Sequence, residues 1–360
     1  MSDEIMAGNG FSTFETQDRV LVGLSGGVDS TMCVRILQQQ GFDVRAAVIR
    51  FSPAHDAAVA AAARVAAQLG VPLTVEDCTE AFEREVIAPF CDAYCRGVTP
   101  CPCVMCNPLV KFRALAAAAD REGIHYLASG HYARIAEENG HYYVQKAVSA
   151  ARDQSYMLYR LPQDILARLC LPIGEFEKPD IRAMAAAENL ASADTPDSQE
   201  ICFIPDGDYA AYIAARGGHS AQGRFVGPHG EDLGPHRGVE HYTVGQRKGL
   251  GIAYGEPLFV REIGANGSVQ LALGGGEYAQ GVVLTDVTRP DGGAFLPGET
   301  YDVKVRSRAV CAPCTVSVQP DGALALHFAA PQRAPAPGQS AVLYRGDLVL
   351  GGGVIESVLW

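Results

Sequence analysis

Two stretches of this 360-residue sequence carry side chains spaced for chemistry. The first is Gly23-Leu24-Ser25-Gly26-Gly27-Val28-Asp29-Ser30. Glycines let backbone approach a ligand and adopt positive φ, and the N–H groups of such a loop and of a following helix start form a nest for phosphate oxygens. Ser25 and Ser30 can add hydroxyl donors, and Asp29 can take a magnesium ion or its waters. The loop lacks the Gly-Lys-Ser/Thr ending of the common nucleotide-binding loop. The plainer alternative is a glycine-rich turn that only reverses the chain. The second stretch is rich in thiols: Cys91, Cys95, Cys101, Cys103 and Cys106 fall within sixteen residues, and Cys202 follows in DSQEICFIPDGD. Such crowding points to metal or sulfur chemistry, although Cys91 and Cys95, at helical i,i+4 spacing, also suit a core. Cys106 is expected just before a helix, whose N-terminus would favour the thiolate. Cys202, alone in an apolar ICFI run, could equally be a core residue.

These residues need a scaffold, and the sequence supplies an alternating one. VLVGL reads as a strand, TMCVRILQQQ as a helix closed by Gly41, VRAAVIR as a strand, AAVAAAARVAAQL as a helix ending at Gly70, and VPLTVED as a strand. Helices over TEAFEREVIAPFCDAYC and PLVKFRALAAAADREG and a strand at YLASGH continue the series. This predicts an α/β fold with a parallel sheet wound on both faces over residues 1–205, holding the phosphate loop. Past Ile204 glycine and proline become frequent, and DYAAYIAARGG is the one helical pattern, so residues 206–280 read as a small central domain. From Gly281 short alternating runs separated by turns predict a C-terminal antiparallel barrel or sandwich over 281–360, with PQRAPAPG as a loop.

Composition narrows the classes. With 48% hydrophobic residues the chain can build large cores. Eleven cysteines in a chain this long suggest reduced thiols, and the start MSDEIMAGNGFSTFETQD lacks the basic and apolar segments of a secretory signal, so a cytoplasmic protein with no membrane span is expected. The net charge of −12 speaks against nucleic-acid binding over the whole surface. Residues 206–360 are the more balanced part, with 15 acidic and 12 basic side chains, so any nucleic-acid face must be a local basic patch.

GLSGGVDS, CNPLVKF, SGHYAR, RDQSYMLY, DSQEICFI and HYTVGQRKGLGI, in that order over residues 23–252, with VKVRSRA and PGQSAVLYRG beyond, closely resemble the motifs of bacterial tRNA 2-thiouridylases. The loop by itself is similar to the PP-loop of ATP pyrophosphatases, which implies cleavage between the α and β phosphates. The resemblance implies ATP, with Mg2+, activating the C2 oxygen of the tRNA wobble uridine as an adenylate. Cys202 would then deliver sulfur as a persulfide received from a sulfur-relay protein or a cysteine desulfurase. Cys106 would either attack the inner persulfide sulfur to release sulfide or resolve the product, leaving a Cys106–Cys202 disulfide. Gly23 to Ser30, with Ile49 and Gly130, fall at ATP-contacting positions. Cys101, Pro102, Cys103, His131, Arg152, Asp153, Gln154, Arg306, Ser307 and Gln339 fall at tRNA-contacting ones. The uridine of the anticodon loop must leave its stack to be modified, and Arg237, Arg247, Lys248, Lys304, Arg306, Arg308 and Arg345 are candidates to hold the phosphates.

One departure stands out. Where many members of that family have an aspartate three residues before the first catalytic cysteine, this chain has Cys103. Cys103, Cys106 and Cys202 could therefore hold an iron–sulfur cluster with one open iron. Cys311 and Cys314 form another CxxC, but a zinc site wants four ligands and only His327 is near in sequence, so they read as structural thiols. Two rivals remain open: a PP-loop synthetase that uses ammonia, and a non-enzymatic module that binds tRNA.

Overall fold

The computed structural model describes residues 19–193 and 201–360; the N-terminal segment read for a signal, and Asp197 to Glu200 of the DSQEICFI motif, lie outside the described residues. Strand β1 (Arg19–Gly23) is central because its residues are apolar toward both sides: Val20 and Val22 join one core, Leu21 the other. It pairs in parallel with β2 (Asp43–Arg50) and β4 (Tyr126–Ser129). With β3 (Leu73–Asp77) and β7 (Leu169–Cys170) the order is β3-β2-β1-β4-β7, all parallel. Helices α1 (Val28–Gln39), α2 (Asp56–Leu69) and α5 (Lys178–Ala187) cover one face. Helix α4 covers the other, running from Pro102–Cys106 through a π turn at Asn107–Lys111 into Phe112–Arg121. The doubly wound sheet expected from the alternation is therefore present. Strand order reverses between β1 and β4, and the crevice outside the carboxyl ends of strands at such a point is where α/β folds bind ligands.

A second long helix, α3, joins Thr79–Phe82, a π turn at Glu83–Ile87 and Ala88–Cys95. Both π turns carry a proline just past their start or end, Pro108 and Pro89, whose missing N–H removes one ordinary helical bond. After the sheet come α6 (Tyr209–Ala215) and a four-stranded sheet in the order β10-β11-β8-β9, formed by β8 (Arg224–Val226), β9 (Asp232–Pro235), β10 (Leu258–Ile263) and β11 (Val269–Leu273). Phe225, Tyr242, Val260 and Leu271 fill its core.

The C-terminal part is a closed barrel. Strands β12 (Tyr278–Thr288), β13 (Thr300–Lys304), β14 (Ala312–Val318), β15 (Leu324–Arg333), β16 (Ser340–Arg345) and β17 (Leu348–Leu359) follow the order β12-β15-β14-β13-β16-β17, and β12 pairs with β17 to close the ring. Closure removes the exposed edges an open sheet would leave. A hairpin absent from the sequence reading, β5 (Ala133–Glu138) and β6 (His141–Lys146), leaves the parallel sheet and joins the barrel where Gln145 pairs with Leu348. No described helix is long and apolar enough to cross a membrane.

Candidate functional site

The phosphate loop is pre-shaped by contacts that only its own residue types allow. Gly26 has φ +82, and a Cβ there would lie 2.7 Å from Ala61 Cβ and from Ala62 N on α2. Gly130, at the end of β4, packs as closely: a Cβ would lie 2.6 Å from Ser30 N. The Ser30 hydroxyl donates to Gly27 O at 3.1 Å and accepts from Ser25 N at 3.1 Å, with the Ser25 hydroxyl 3.1 Å away. Leu24 N continues the β1 ladder to Ala47 O. Gly23 and Val28 bound the loop, and Ile49, half-buried on β2, stands at the same carboxyl end of the sheet.

Asp29, in the first turn of α1, accepts from Lys178 Nζ at 2.7 and 2.8 Å and from the Tyr132 hydroxyl at 2.9 Å. Neither donor was singled out from the sequence. Tyr132 lies inside the SGHYAR motif, whereas the signal for Lys178 is subtler: a lysine in the first turn of a helix opposes the helix dipole.

The SGH segment then links the loop to the thiols. His131 is buried, with Nδ1 2.8 Å from the Ser129 hydroxyl and Nε2 3.3 Å from Lys111 Nζ, and its ring stacks on Phe112. An ammonium only donates, so Nε2 accepts and Nδ1 carries the proton. Burial, and then the Lys111 charge, hold His131 well below its ordinary range, so it is a neutral imidazole. Burial also lowers Lys111, while Cys106, Cys103 and Cys202 act in the opposite direction.

The expectation for Cys106 needs correction. It stands inside α4, at the last residue before the π turn, and Cys101 rather than Cys106 caps the helix. Burial pushes the Cys106 thiol up to about 12, only partly offset by Lys111. Removal from water thus outweighs helix dipole and lysine together, and the resting group is a thiol. Cys103 is raised too, again by burial, with Lys111 opposing. Cys202 lies on an exposed turn, yet its thiol is pushed up to about 11 by lost solvation and by Cys103, against Lys111. Its neighbours do the anchoring: Phe203 and Ile204 are buried with Phe82, Val86, Phe90, Val110 and Ile213, and Cys106 packs on the same cluster. Cys101 belongs elsewhere, packing on the core that holds Tyr156 and Leu158. Cys103, Cys106 and Cys202 are thus gathered around Lys111, while Cys101 packs on the other core.

The residues at expected tRNA-contacting positions fall into two groups. Arg152 is exposed and Ser307 half-buried, while Pro102 is buried. Several others serve the framework. Gln154 accepts from Tyr132 N at 2.8 Å. Asp153 accepts from Ser155 and, at 3.0 Å, from Lys304 Nζ of the barrel. Gln339 donates to Thr99 O at 3.0 Å, clamping a barrel loop onto the segment that leads to Cys103. Arg306 donates to Val244 O at 2.8 Å, and its Nε is buried without a hydrogen-bond partner. Among the proposed phosphate holders Arg237, Arg247, Lys248 and Arg308 are exposed, and Arg345 is exposed but paired with Glu138. Lys304 is a correction: it is buried and spent on Asp153.

Comparison with known proteins matches this sequence to a family. Residues 18–206 match the family profile described as the tRNA methyl transferase HUP domain, 211–269 its PRC-barrel domain, and 296–355 the aminomethyltransferase beta-barrel domain. The tRNA-specific 2-thiouridylase MnmA of Carboxydothermus hydrogenoformans is 39% identical over 358 residues, covering 95% of this chain and 98% of that protein. Its counterpart in Chloroflexus aggregans is 42% identical over 353 residues, covering 93% and 98%. The chain belongs to the tRNA-specific 2-thiouridylase family.

In this 2-thiouridylase family member, then, the phosphate loop and the thiol group are joined through Gly130 and His131. Among the described residues no three His, Cys, Asp or Glu side chains converge as a group able to hold a single metal ion. Cys311 and Cys314 are free thiols, Cys314 buried in the barrel.

Proposed function

We propose that this protein is an ATP-dependent tRNA 2-thiouridylase working by cysteine persulfide transfer. The observation that carries the reading is the SGH segment: Gly130 packs on Ser30 and Asp29, and the adjacent His131 meets Lys111, around which Cys103, Cys106 and Cys202 gather. The phosphate nest and the thiols are thereby linked through one short segment, and a uridine bound between them would present C2 to both.

The C2 oxygen of the wobble uridine attacks the α phosphorus of ATP, supplied with Mg2+, and pyrophosphate leaves. The adenylate makes that oxygen a good leaving group. Cys202 carries a persulfide donated by a relay protein or a cysteine desulfurase. In one route its terminal sulfur attacks C2, AMP departs with the former C2 oxygen, and a Cys106 thiolate attacks Cys202 Sγ, breaking the S–S bond and leaving sulfur on the base. In the other, Cys106 attacks Cys202 Sγ first and the released sulfide attacks C2. Both end in 2-thiouridine and a Cys106–Cys202 disulfide, which takes two electrons from a thiol reductant to reopen. Both also require Cys106 to lose its proton, against a thiol raised to about 12. Lys111 is the charge placed to stabilise the thiolate, since its ammonium acts on Cys106 against the effect of burial.

The test is quantification of 2-thiouridine by mass spectrometry after incubation with ATP, a persulfide donor and unmodified tRNA. Cys202→Ala and Cys106→Ala should each reduce turnover by about a hundredfold or more, as loss of a nucleophile does. A synthetase that delivers ammonia would keep its turnover in both variants, and a non-enzymatic tRNA-binding module would release no pyrophosphate with any of the proteins.

A further inference from the structure

We infer that Lys178 is a positioning residue for the nucleotide, acting through Asp29: its buried ammonium cancels the Asp29 carboxylate, so that the phosphate loop presents donors to ATP without a net negative charge. This deepens the thiouridylase reading and rests on its nucleotide site.

Lys178 opens α5 and is 5% exposed. Two rules make lysine an unexpected choice there. The first turn of a helix already carries partial positive charge, and a buried ammonium is costly unless paired. A lysine set against the helix dipole and buried only because it is paired marks a site where local electrostatics matter more than helix stability. The pairing is thorough, with both Asp29 oxygens bound by Nζ and the Tyr132 hydroxyl donating to Oδ1. The Tyr132 ring also lies 5.7 Å from Nζ, within cation–π range.

Exposure gives the arrangement its direction. The Asp29 side chain is 30% exposed and that of Lys178 is 7% exposed, so the carboxylate reaches toward solvent and the ammonium lies behind it. Asp29 belongs to the loop whose Ser25, Ser30 and backbone N–H groups form the nest. Without a counter-charge, its carboxylate would stand beside incoming phosphates and repel them. The ion pair keeps the acid in the loop without that repulsion. A purely mechanical alternative is that the pair only helps hold α5 on α1, a task already shared by Arg35 on Glu188 and by the packing of Ile36 and Ile181 into the common core.

The two roles separate by ligand charge. Equilibrium dialysis of adenosine, AMP and ATP against the full-length protein, with EDTA present so that the protein's own charges are read, supplies the measurement. Lys178→Met should weaken ATP by about tenfold or more and AMP by less, with adenosine changed by less than about twofold, whereas Lys178→Arg should hold ATP near wild type. Adding Asp29→Asn to Lys178→Met should recover part of the ATP affinity. Asp29→Asn alone, which keeps the cation, should bind divalent-free ATP more tightly than wild type, and this variant carries the test if Lys178→Met does not fold. Equal losses for adenosine and ATP, unchanged ATP binding in Lys178→Met, or no tightening in Asp29→Asn would overturn the inference while leaving the nucleotide site standing. A wild-type protein that binds neither adenosine nor ATP would overturn both.

Discussion

Cys202 shows how finely position decides the behaviour of a side chain. Its two C-terminal neighbours are buried among aromatic rings, with Phe203 packing edge-on against Phe82 and Phe90, while Cys202 itself is turned out on an exposed loop. The apolar ICFI run is therefore an anchor for a presented thiol. That thiol is nonetheless raised to about 11 by lost solvation and by Cys103. Iodoacetamide labelling of Cys202, followed by peptide mass spectrometry, should accordingly be slow at neutral pH and keep accelerating until about pH 11. A plateau at or below the ordinary value of 9.0 would show that Lys111 outweighs desolvation. The residue types of the site were legible in sequence, because SGGVDS, CNPLVKF and DSQEICFI carry them. Ionisation was not. A thiol near a helix start reads as activated until its burial is known, and burial is a property of the folded surroundings.

At the level of elements, the helix carrying Cys103 and Cys106 and the loop carrying Cys202 are held together by one aromatic cluster rather than by a covalent link. Val110 of α4, Phe82 and Phe90 of α3, Ile213 of α6 and Phe203 meet there. Phe203→Ala should therefore cost about 3–5 kcal/mol in chemical denaturation, the range for truncating a buried aromatic. A loss below about 1 kcal/mol would mean that the cluster does not hold the Cys202 loop. The parallel strands and their helices could be read from the sequence because alternation and glycine C-caps such as Gly70, in the left-handed region, are local signals. The hairpin β5–β6 carried an equally local one: Asn139 and Gly140, both with positive φ, are the favoured pair for a tight hairpin turn. The alternating βα pattern overshadowed it. What no local signal contains is its destination, since the pairing of Gln145 with Leu348 joins residues far apart in sequence.

On the scale of the whole molecule, the barrel is built into the site's support. Tyr156 donates to Ser340 O at 2.8 Å, Gln339 to Thr99 O, and Lys304 pairs with Asp153, so the loop before Cys103 and the loop after β6 are both fixed by C-terminal residues. Three residues at expected RNA-contacting or phosphate-holding positions, Asp153, Gln339 and Lys304, are thus committed to joining the first domain to the last. A sequence reports which residues are polar, but only assembly reveals which of them face inward. The proposed reaction has the thiols deliver sulfur to an ATP-activated uridine without a metal cluster. The most direct measurement uses anaerobically purified protein divided into iron-free and iron-reconstituted samples, each incubated with ATP, magnesium, unmodified tRNA and a persulfide donor, with 2-thiouridine quantified by mass spectrometry. The persulfide route requires thiolation by the iron-free protein and its loss in Cys202→Ala. Thiolation confined to the iron-loaded sample would overturn that route and make Cys103, Cys106 and Cys202 cluster ligands.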